Sequence, residues 1–244
     1  MTAKSPTAVA VIPARGGGKR IPRKNVRPFL GRPLIARTVR AAVGAGLFEA
    51  VIVSTDDDES ASLAGSAGAQ VPFVRPATLS DDHSGTREVI QHAVAELESA
   101  GWTFDLVCSV STTAVLVRPE DLKASRDALV SSRADFVFSA TTFAFPIQRA
   151  LRVDDDGSVA MVQPEHRLTR SQDLEEAYHD AGQFYWGRRD AWMSDEPMFG
   201  GRSRIHRLPR WRVQDIDTME DWERAEMMVR AAELLNPSRG TSSA

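Results

Sequence analysis

The sequence predicts an α/β fold with a doubly wound, mostly parallel sheet. Short β-branched runs alternate with helix-length segments through the first half of the chain. The runs at 9–12, 51–53, 104–110 and 136–139 are apolar without alternation, as strands buried on both faces must be. The segments between them repeat apolar residues at helical spacing.

Each element follows from local chemistry. Residues 9–12 read as the first strand. Residues 33–43 read as a helix, with Pro33 in the first turn and Gly44 and Gly46 at its end. After the strand at 51–53, the carboxylates of Asp56, Asp57, Asp58 and Glu59 suit a helix N-terminus, and the helix runs on through 61–67. Residues 71–74 read as a short strand. Residues 86–100 place Val89, Ile90, Ala93, Val94 and Leu97 on one helical stripe. A helix beginning near Pro119 separates the strands at 104–110 and 136–139. The rhythm breaks at Thr141. Residues 147–153 and 159–162 read as a hairpin around an Asp-rich turn ending in Gly157. Residues 183–186 and 211–216 read as further strands, and 218–235 as the last helix. One domain over 7–235 is expected, with 141–189 as an excursion from the sheet and 236–244 as a flexible tail.

Composition narrows the function. At 244 residues, 42% apolar and 26% charged, the chain has the makeup of a globular protein with a substantial core. A net charge of -3 argues against nonspecific nucleic-acid or anionic-membrane binding. The single cysteine, Cys108, lies in an apolar strand, so no intramolecular disulfide is expected. No run approaches the roughly 20 apolar residues that span a bilayer. The first residues lack the apolar core of a signal peptide, and a cytoplasmic location is expected.

The chemistry concentrates in the segment from Ile12 to Asn25. Three glycines, Gly16, Gly17 and Gly18, stand beside Ala14 at the end of a buried strand. Glycines let several backbone N–H groups turn toward one point, and cations add charge where those amides already favour an anion. Arg15, Lys19, Arg20, Arg23 and Lys24 supply five such charges. The loop is built for a polyphosphate. It is not the common ATPase loop, because Lys19 is not followed by Ser or Thr. Asp215 and Asp217 flank Ile216 and share one face of an extended chain, which suits Mg²⁺; Asp217 equally suits an N-cap for the last helix. Asp56, at a strand end, is placed for a ligand or for a helix cap. Arg75, fixed by Pro76, is placed to contact a base or a phosphate, or else solvent. No G-x-S-x-G elbow occurs, and neighbours such as His179 and Asp180 point apart on an extended chain, so hydrolase chemistry is weakly supported. Nucleotidyl transfer uses the loop, the carboxylates and the sheet together.

These residues resemble the N-acylneuraminate cytidylyltransferase family, most closely its bacterial pseudaminic acid branch. The first family motif appears from Ile12 to Asn25, and the second as Val53-Ser54-Thr55-Asp56-Asp57. The branch is suggested by Phe145-Pro146-Ile147-Gln148-Arg149, by the segment from Thr169 to Trp186, and by Val213-Gln214-Asp215-Ile216-Asp217-Thr218. The resemblance implies a nucleotide-diphospho-sugar transferase type of fold. It implies CTP and a nine-carbon acid sugar as substrates, Mg²⁺ as cofactor, and a homodimer in which the excursion reaches the partner's site. Arg15 and Lys24 match phosphate contacts, Asn25 and Arg75 the surroundings of the base, and Asp215 and Asp217 the metal carboxylates. Thr113 joins the nucleotide group, and Arg170, Gln183 and Tyr185 fall where the sugar lies. N-Acetylneuraminate, legionaminate or an octulosonate are alternative substrates, and a silent nucleotide-binding module is an alternative role. Two departures stand out. Gly18 replaces a family Ser, and Ser111-Thr112-Thr113-Ala114-Val115 lacks the two prolines and the large first residue of the family motif.

Overall fold

The computed structural model describes residues 5–17, 20–81 and 84–235. Gly18 and Lys19, and the tail at 236–244, lie outside the described residues. The chain runs β1 (Ala8–Pro13), β2 (Pro28–Phe29), β3 (Arg32–Pro33), α1 (Leu34–Gly44), β4 (Ala50–Ser54), α2 (Asp58–Ser66), α3 (Thr86–Ser99), β5 (Leu106–Val110) and α4 (Pro119–Ser131). It continues through β6 (Phe136–Thr142), β7 (Leu151–Val153), β8 (Val159–Met161), β9 (Tyr178–Arg188), α5 (Arg189–Trp192), β10 (Ser203–Arg207) and α6 (Met219–Leu235).

Six strands form one sheet in the order β10-β6-β9-β5-β1-β4. All neighbouring pairs are parallel except those of β9, which runs against both β5 and β6. The doubly wound, mostly parallel expectation holds. The apolar runs of β1, β4 and β5 are buried throughout, apart from the half-buried Pro13. One face packs Ile12, Val53, Phe184 and Trp186 against Ile35 and Val39 of α1 and Leu122 and Leu129 of α4. The other packs Val9, Val11, Ile52 and Val107 against the α3 stripe of Ile90, Val94 and Leu97. Truncating a residue such as Leu97, fully buried here, costs about 2–5 kcal/mol.

A third cluster joins Phe29, Leu34, Ile216 and Trp222 under α6. The β2–β3 hairpin feeding it turns through Leu30 and Gly31, both at positive φ, the geometry that two-residue hairpins prefer. Cys108 is buried in β5, and burial pushes its thiol up.

The structure differs from the sequence reading at several elements. Residues 71–74 form no strand: Gln70 makes a single bridge to Ile52, and Pro72 cannot donate to a longer ladder. Residues 211–216 are not a strand either, since Arg210–Arg212 is a 3₁₀ turn and 213–217 carries no ladder. The edge strand β10 is additional. Of the range 141–189, Tyr178–Arg188 lies inside the sheet as β9, while the hairpin β7–β8 stands away from it. No described helix is long and apolar enough to cross a membrane.

Candidate active site

The C-terminal ends of β1, β4 and β5 open on one edge of the sheet, where open α/β sheets place ligands. The loop after β1 is held there by backbone and carboxylate contacts. Ala14, itself buried, donates its N–H to the Ser54 carbonyl at 2.9 Å, and Gly16 donates to Asp56 Oδ1 at 2.8 Å. A Cβ on Gly16 would stand 2.9 Å from Asp57 Cβ, so the backbone approach there requires glycine. Asp57, not Asp56, caps α2, accepting the Ser60 N–H at 2.8 Å. Asp56 is left to shape the loop. Gly17 is exposed, with open space beyond it.

Two cavities meet at this loop, and both are lined by Pro13 and Arg15. The first, of about 160 Å³, is walled by Arg20, Ile21, Lys24, Asn25, Thr112 and Asp217. Lys24 Nζ donates to the Ile216 carbonyl at 2.7 Å and lies 3.7 Å from Asp217 Oδ1. Arg20 holds the other Asp217 oxygen at 2.9 Å. Burial lowers the Lys24 pKa, against the pull of Asp217 and Asp215. A basic wall with partly buried cations stabilises a multiply charged anion more than a solvated surface does.

The second cavity, of about 210 Å³, is lined by Arg75, Leu79, Asp81 and the start of α3. Arg75 is 3% exposed, and its Nε and one terminal nitrogen have no hydrogen-bond partner among the described residues. Asp56 Oδ1 stands 3.9 Å from that terminal nitrogen, an ion-pair distance only. Burial lowers the Arg75 pKa, opposed by Asp56. Asn25 donates its amide to the Arg15 carbonyl at 2.9 Å, and its buried Oδ1 has no partner among the described residues. Arg15 reaches the Asp81 carbonyl. Buried donors and acceptors without partners cost about 1–3 kcal/mol each, which a polar ligand recovers.

Asp215 and Asp217 lie on the coil before α6, with Ile216 fully buried between them in the third cluster. The alternation that puts both carboxylates outward survives without a strand. Asp217 is not the helix cap. Thr218 Oγ1 accepts the Asp221 N–H at 3.2 Å, and Asp221 accepts the Thr218 N–H at 2.9 Å, a reciprocal box. Asp215 Oδ1 accepts from the Ile216 N–H at 2.8 Å and from the Thr113 hydroxyl at 3.4 Å. Thr113 in turn lies 2.8 Å from the Ser111 hydroxyl, so the departure at 111 supplies a hydroxyl neighbour to the carboxylate's own partner. Among the described residues no group of three or more metal-ligating side chains occurs. Asp215 and Asp217, the latter in the wall of the basic cavity, are nevertheless a donor pair that could hold Mg²⁺, which takes one or two carboxylates and completes its shell with waters and phosphate oxygens.

A third cavity, of about 420 Å³, shares Gly85 and Thr86 with the second and is lined by Asp180, Tyr185, Asp195, Met198 and Phe199. Tyr185 donates its hydroxyl to Asp180, and burial together with that carboxylate pushes its phenol up. Gln183 is 2% exposed, lines none of these three cavities, and donates its side-chain amide to the Arg212 carbonyl. Arg170 is exposed, paired with Asp173 at 2.7 Å, and lines none of these three cavities. The structure brings together Arg15, Lys24, Asn25, Arg75, Asp215, Asp217 and Thr113, and sets Arg170 apart. A larger cavity, about 920 Å³, lies by the excursion between Phe143 and Trp211 and is lined by none of the candidate residues. Arg20 and Asp56 do more at the site than their sequence positions revealed.

Residues 9–231 match the cytidylyltransferase family. The chain is 42% identical over 222 residues to the pseudaminic acid cytidylyltransferase of Campylobacter jejuni, covering 91% of this chain and 96% of that one. It is 34% identical over 210 residues to a Helicobacter pylori protein that joins a pseudaminic acid cytidylyltransferase to a sugar-nucleotide hydrolase, covering 86% of this chain and 40% of that one. Among solved structures, a CMP-2-keto-3-deoxy-manno-octonic acid synthetase complexed with CTP superposes with a TM-score of 0.68 at 17% identity, covering 93% of this chain and 99% of that one. The 4-diphosphocytidyl-2C-methyl-D-erythritol synthase of Anaerococcus prevotii superposes at 0.63 and 14%, covering 93% and 100%. These two likenesses establish the fold.

Proposed function

The chain belongs to the cytidylyltransferase family, and within it we propose that it transfers CMP from CTP to the anomeric hydroxyl of pseudaminic acid. The products are CMP-pseudaminate and pyrophosphate. The observation that carries this reading is the basic cavity of Arg15, Arg20 and Lys24, closed on one side by the Asp217 carboxylate. The choice of sugar rests on the 42% identity to the Campylobacter jejuni enzyme over nearly the whole of both chains.

The reaction is one in-line displacement. The anomeric oxygen forms a bond to the α-phosphorus as the bond to the pyrophosphate oxygen breaks, and the hydroxyl proton passes to a carboxylate or to water. Catalysis is orientation plus neutralisation of charge on phosphoryl oxygens. Arg15 and Lys24 hold the phosphates and offset charge on the leaving group, while Asn25 and Arg75 face the cytosine. Asp215 and Asp217 are the residues that would hold Mg²⁺, which when bound polarises the phosphoryl group. Gln183 and Tyr185 contact the sugar.

Assembly as a homodimer is part of the same reading. The excursion exposes Phe145, Leu151, Val153, Val159 and Leu168, and Val153 pairs with Val159 across the β7–β8 hairpin, so apolar side chains stand together in the open there. Such a surface, pressed against a second copy, would carry Arg170 to the partner's sugar site. A cytoplasmic setting, where CTP is made, completes the reading. Phosphorus NMR of the protein mixed with CTP, Mg²⁺ and pseudaminic acid tests it. A phosphodiester signal and an equal amount of pyrophosphate are expected; unchanged CTP would refute it.

A further inference from the structure

The segment that carries Asp215 and Asp217 has no ladder of its own, so its position depends on what holds its ends. Downstream, the Thr218–Asp221 box closes the start of α6. Midway, Lys24 takes the Ile216 carbonyl and Ile216 itself is buried. Upstream stands Arg212, whose side chain is 9% exposed.

Arg212 forms a two-point pair with Asp121, at 2.5 Å and 3.0 Å, across 91 residues of sequence. Asp121 is the third residue of α4 and already accepts the Arg118 N–H at 3.2 Å at the start of that helix. His206 of β10 approaches the same carboxylate at 3.4 Å. Asp121 therefore ties α4, β10 and the segment after β10 to one buried point. The Arg212 carbonyl faces the other way and accepts the side-chain amide of Gln183. Gln183 is then held on three sides. Its N–H donates to Ser139 Oγ at 3.2 Å, and its carbonyl accepts the Ser111 N–H at 2.9 Å. With its Nε2 on a fixed carbonyl, the amide cannot flip. Its Oε1 is buried and has no partner among the described residues.

A buried ion pair is weak evidence for stability, because desolvating two charges offsets much of their attraction. The pair does fix a backbone point from which two functional groups hang. We propose that Arg212, held by Asp121, is a positioning residue for the transfer reaction. It sets the carboxylate segment at 213–217 and fixes which end of the Gln183 amide is left as an acceptor. The inference rests on the proposed reaction, and it adds a requirement that the loop and carboxylate motifs do not contain.

The test compares three variants with the unaltered protein for thermal melting, kcat and KM for CTP and for the acid sugar. Arg212→Met leaves the buried Asp121 carboxylate without its guanidinium, which costs stability. The double variant Asp121→Asn/Arg212→Met removes both charges and keeps the fold. Arg212→Lys keeps the charge but loses the two-point geometry. The double variant is expected to melt within a few degrees of the unaltered protein. Its kcat is expected to fall at least about tenfold and its KM for the sugar to rise, with a smaller rise in KM for CTP, because Asp217 borders the phosphate cavity while the cations Arg15, Arg20 and Lys24 are kept. Arg212→Lys falls between. A purely structural pair would move melting alone. Values of kcat and both KM within about twofold of the unaltered protein, in the double variant or in Arg212→Lys, would overturn the proposal. No turnover in the unaltered protein with any acid sugar would instead count against the reaction itself.

Discussion

Lys24 and Asp217 face each other across the mouth of the basic cavity, 3.7 Å apart, although 192 residues separate Lys24 from the Ile216 carbonyl it also grips. The loop after β1 and the coil before α6 are thus joined through one ammonium. Its burial lowers its pKa despite two carboxylates, so the charge is held at a cost that a phosphate ligand would relieve.

Replacing Lys24 by Met should therefore harm function more than folding. The lowered pKa means the unfolded chain binds more protons between the folded and unfolded values, so charging Lys24 disfavours the folded state at neutral pH and that penalty fades as pH rises. We expect a melting temperature equal to or above that of the unaltered protein, and a loss of about 10- to 100-fold in kcat/KM for CTP, as for a lost charged hydrogen bond. A clear drop in melting with normal kinetics would reverse the assignment.

The caps of α6 separate two roles that the sequence left combined. Asp217→Asn should nearly abolish turnover and leave melting almost unchanged, because Thr218 and Asp221 cap the helix. Thr218→Ala should lower stability by about 0.5–2 kcal/mol and retain most of the turnover. Denaturant titration beside steady-state kinetics checks both, and near-normal turnover in folded Asp217→Asn would remove that carboxylate from the reaction.

Base recognition should depend on Arg75. Its buried unpaired donors, with the unpaired Asn25 Oδ1, suit a ring that offers both acceptors and a donor. Leaving one such group unmatched costs about 1–3 kcal/mol, or about five- to 150-fold. The unaltered protein should prefer CTP to UTP by at least about tenfold in catalytic efficiency, and Arg75→Met should narrow the ratio. Backbone groups near Leu79 share the cavity, so the preference should shrink rather than vanish. An unchanged ratio would remove Arg75 from the readout.

Acid stability should report the buried pair. Burial pushes the Asp121 carboxyl up, but hydrogen bonds from His206 and Arg212 and the Arg212 charge bring it down to about 2, against an ordinary 3.8. The unfolded chain binds the extra proton between these values, so the contribution is full above about pH 4 and is lost as pH falls toward 2. It amounts to about 2 kcal/mol. Melting curves of the unaltered protein and Asp121→Asn should converge as pH drops through that window. Parallel curves would contradict the depressed carboxyl.

What could be read from the sequence follows from how local each signal is. β1, β4 and β5 were legible because both faces are buried and the runs are uninterrupted. β10 was not, because an edge strand of Ser, Arg, Ile, His and Arg carries no apolar pattern. Residues 71–74 looked like a strand from their apolar content, and Pro72 defeats the ladder. The cation loop and the two carboxylates were legible as residue types. The orphaned donors of Arg75, the loop-shaping bond of Asp56 and the pair of Asp121 with Arg212 depend on contacts 19 to 91 residues apart, which no local pattern records.

Pyrophosphate release measured with CTP and, in turn, pseudaminic acid, N-acetylneuraminic acid, legionaminic acid and an octulosonic acid tests the proposed reaction most directly. The expected result is Mg²⁺-dependent release with all the substrate specificity on the sugar side favouring pseudaminic acid by at least about tenfold in kcat/KM. Release with none of the four sugars would contradict cytidylyl transfer, and a preference for any of the other three would contradict pseudaminic acid as the substrate.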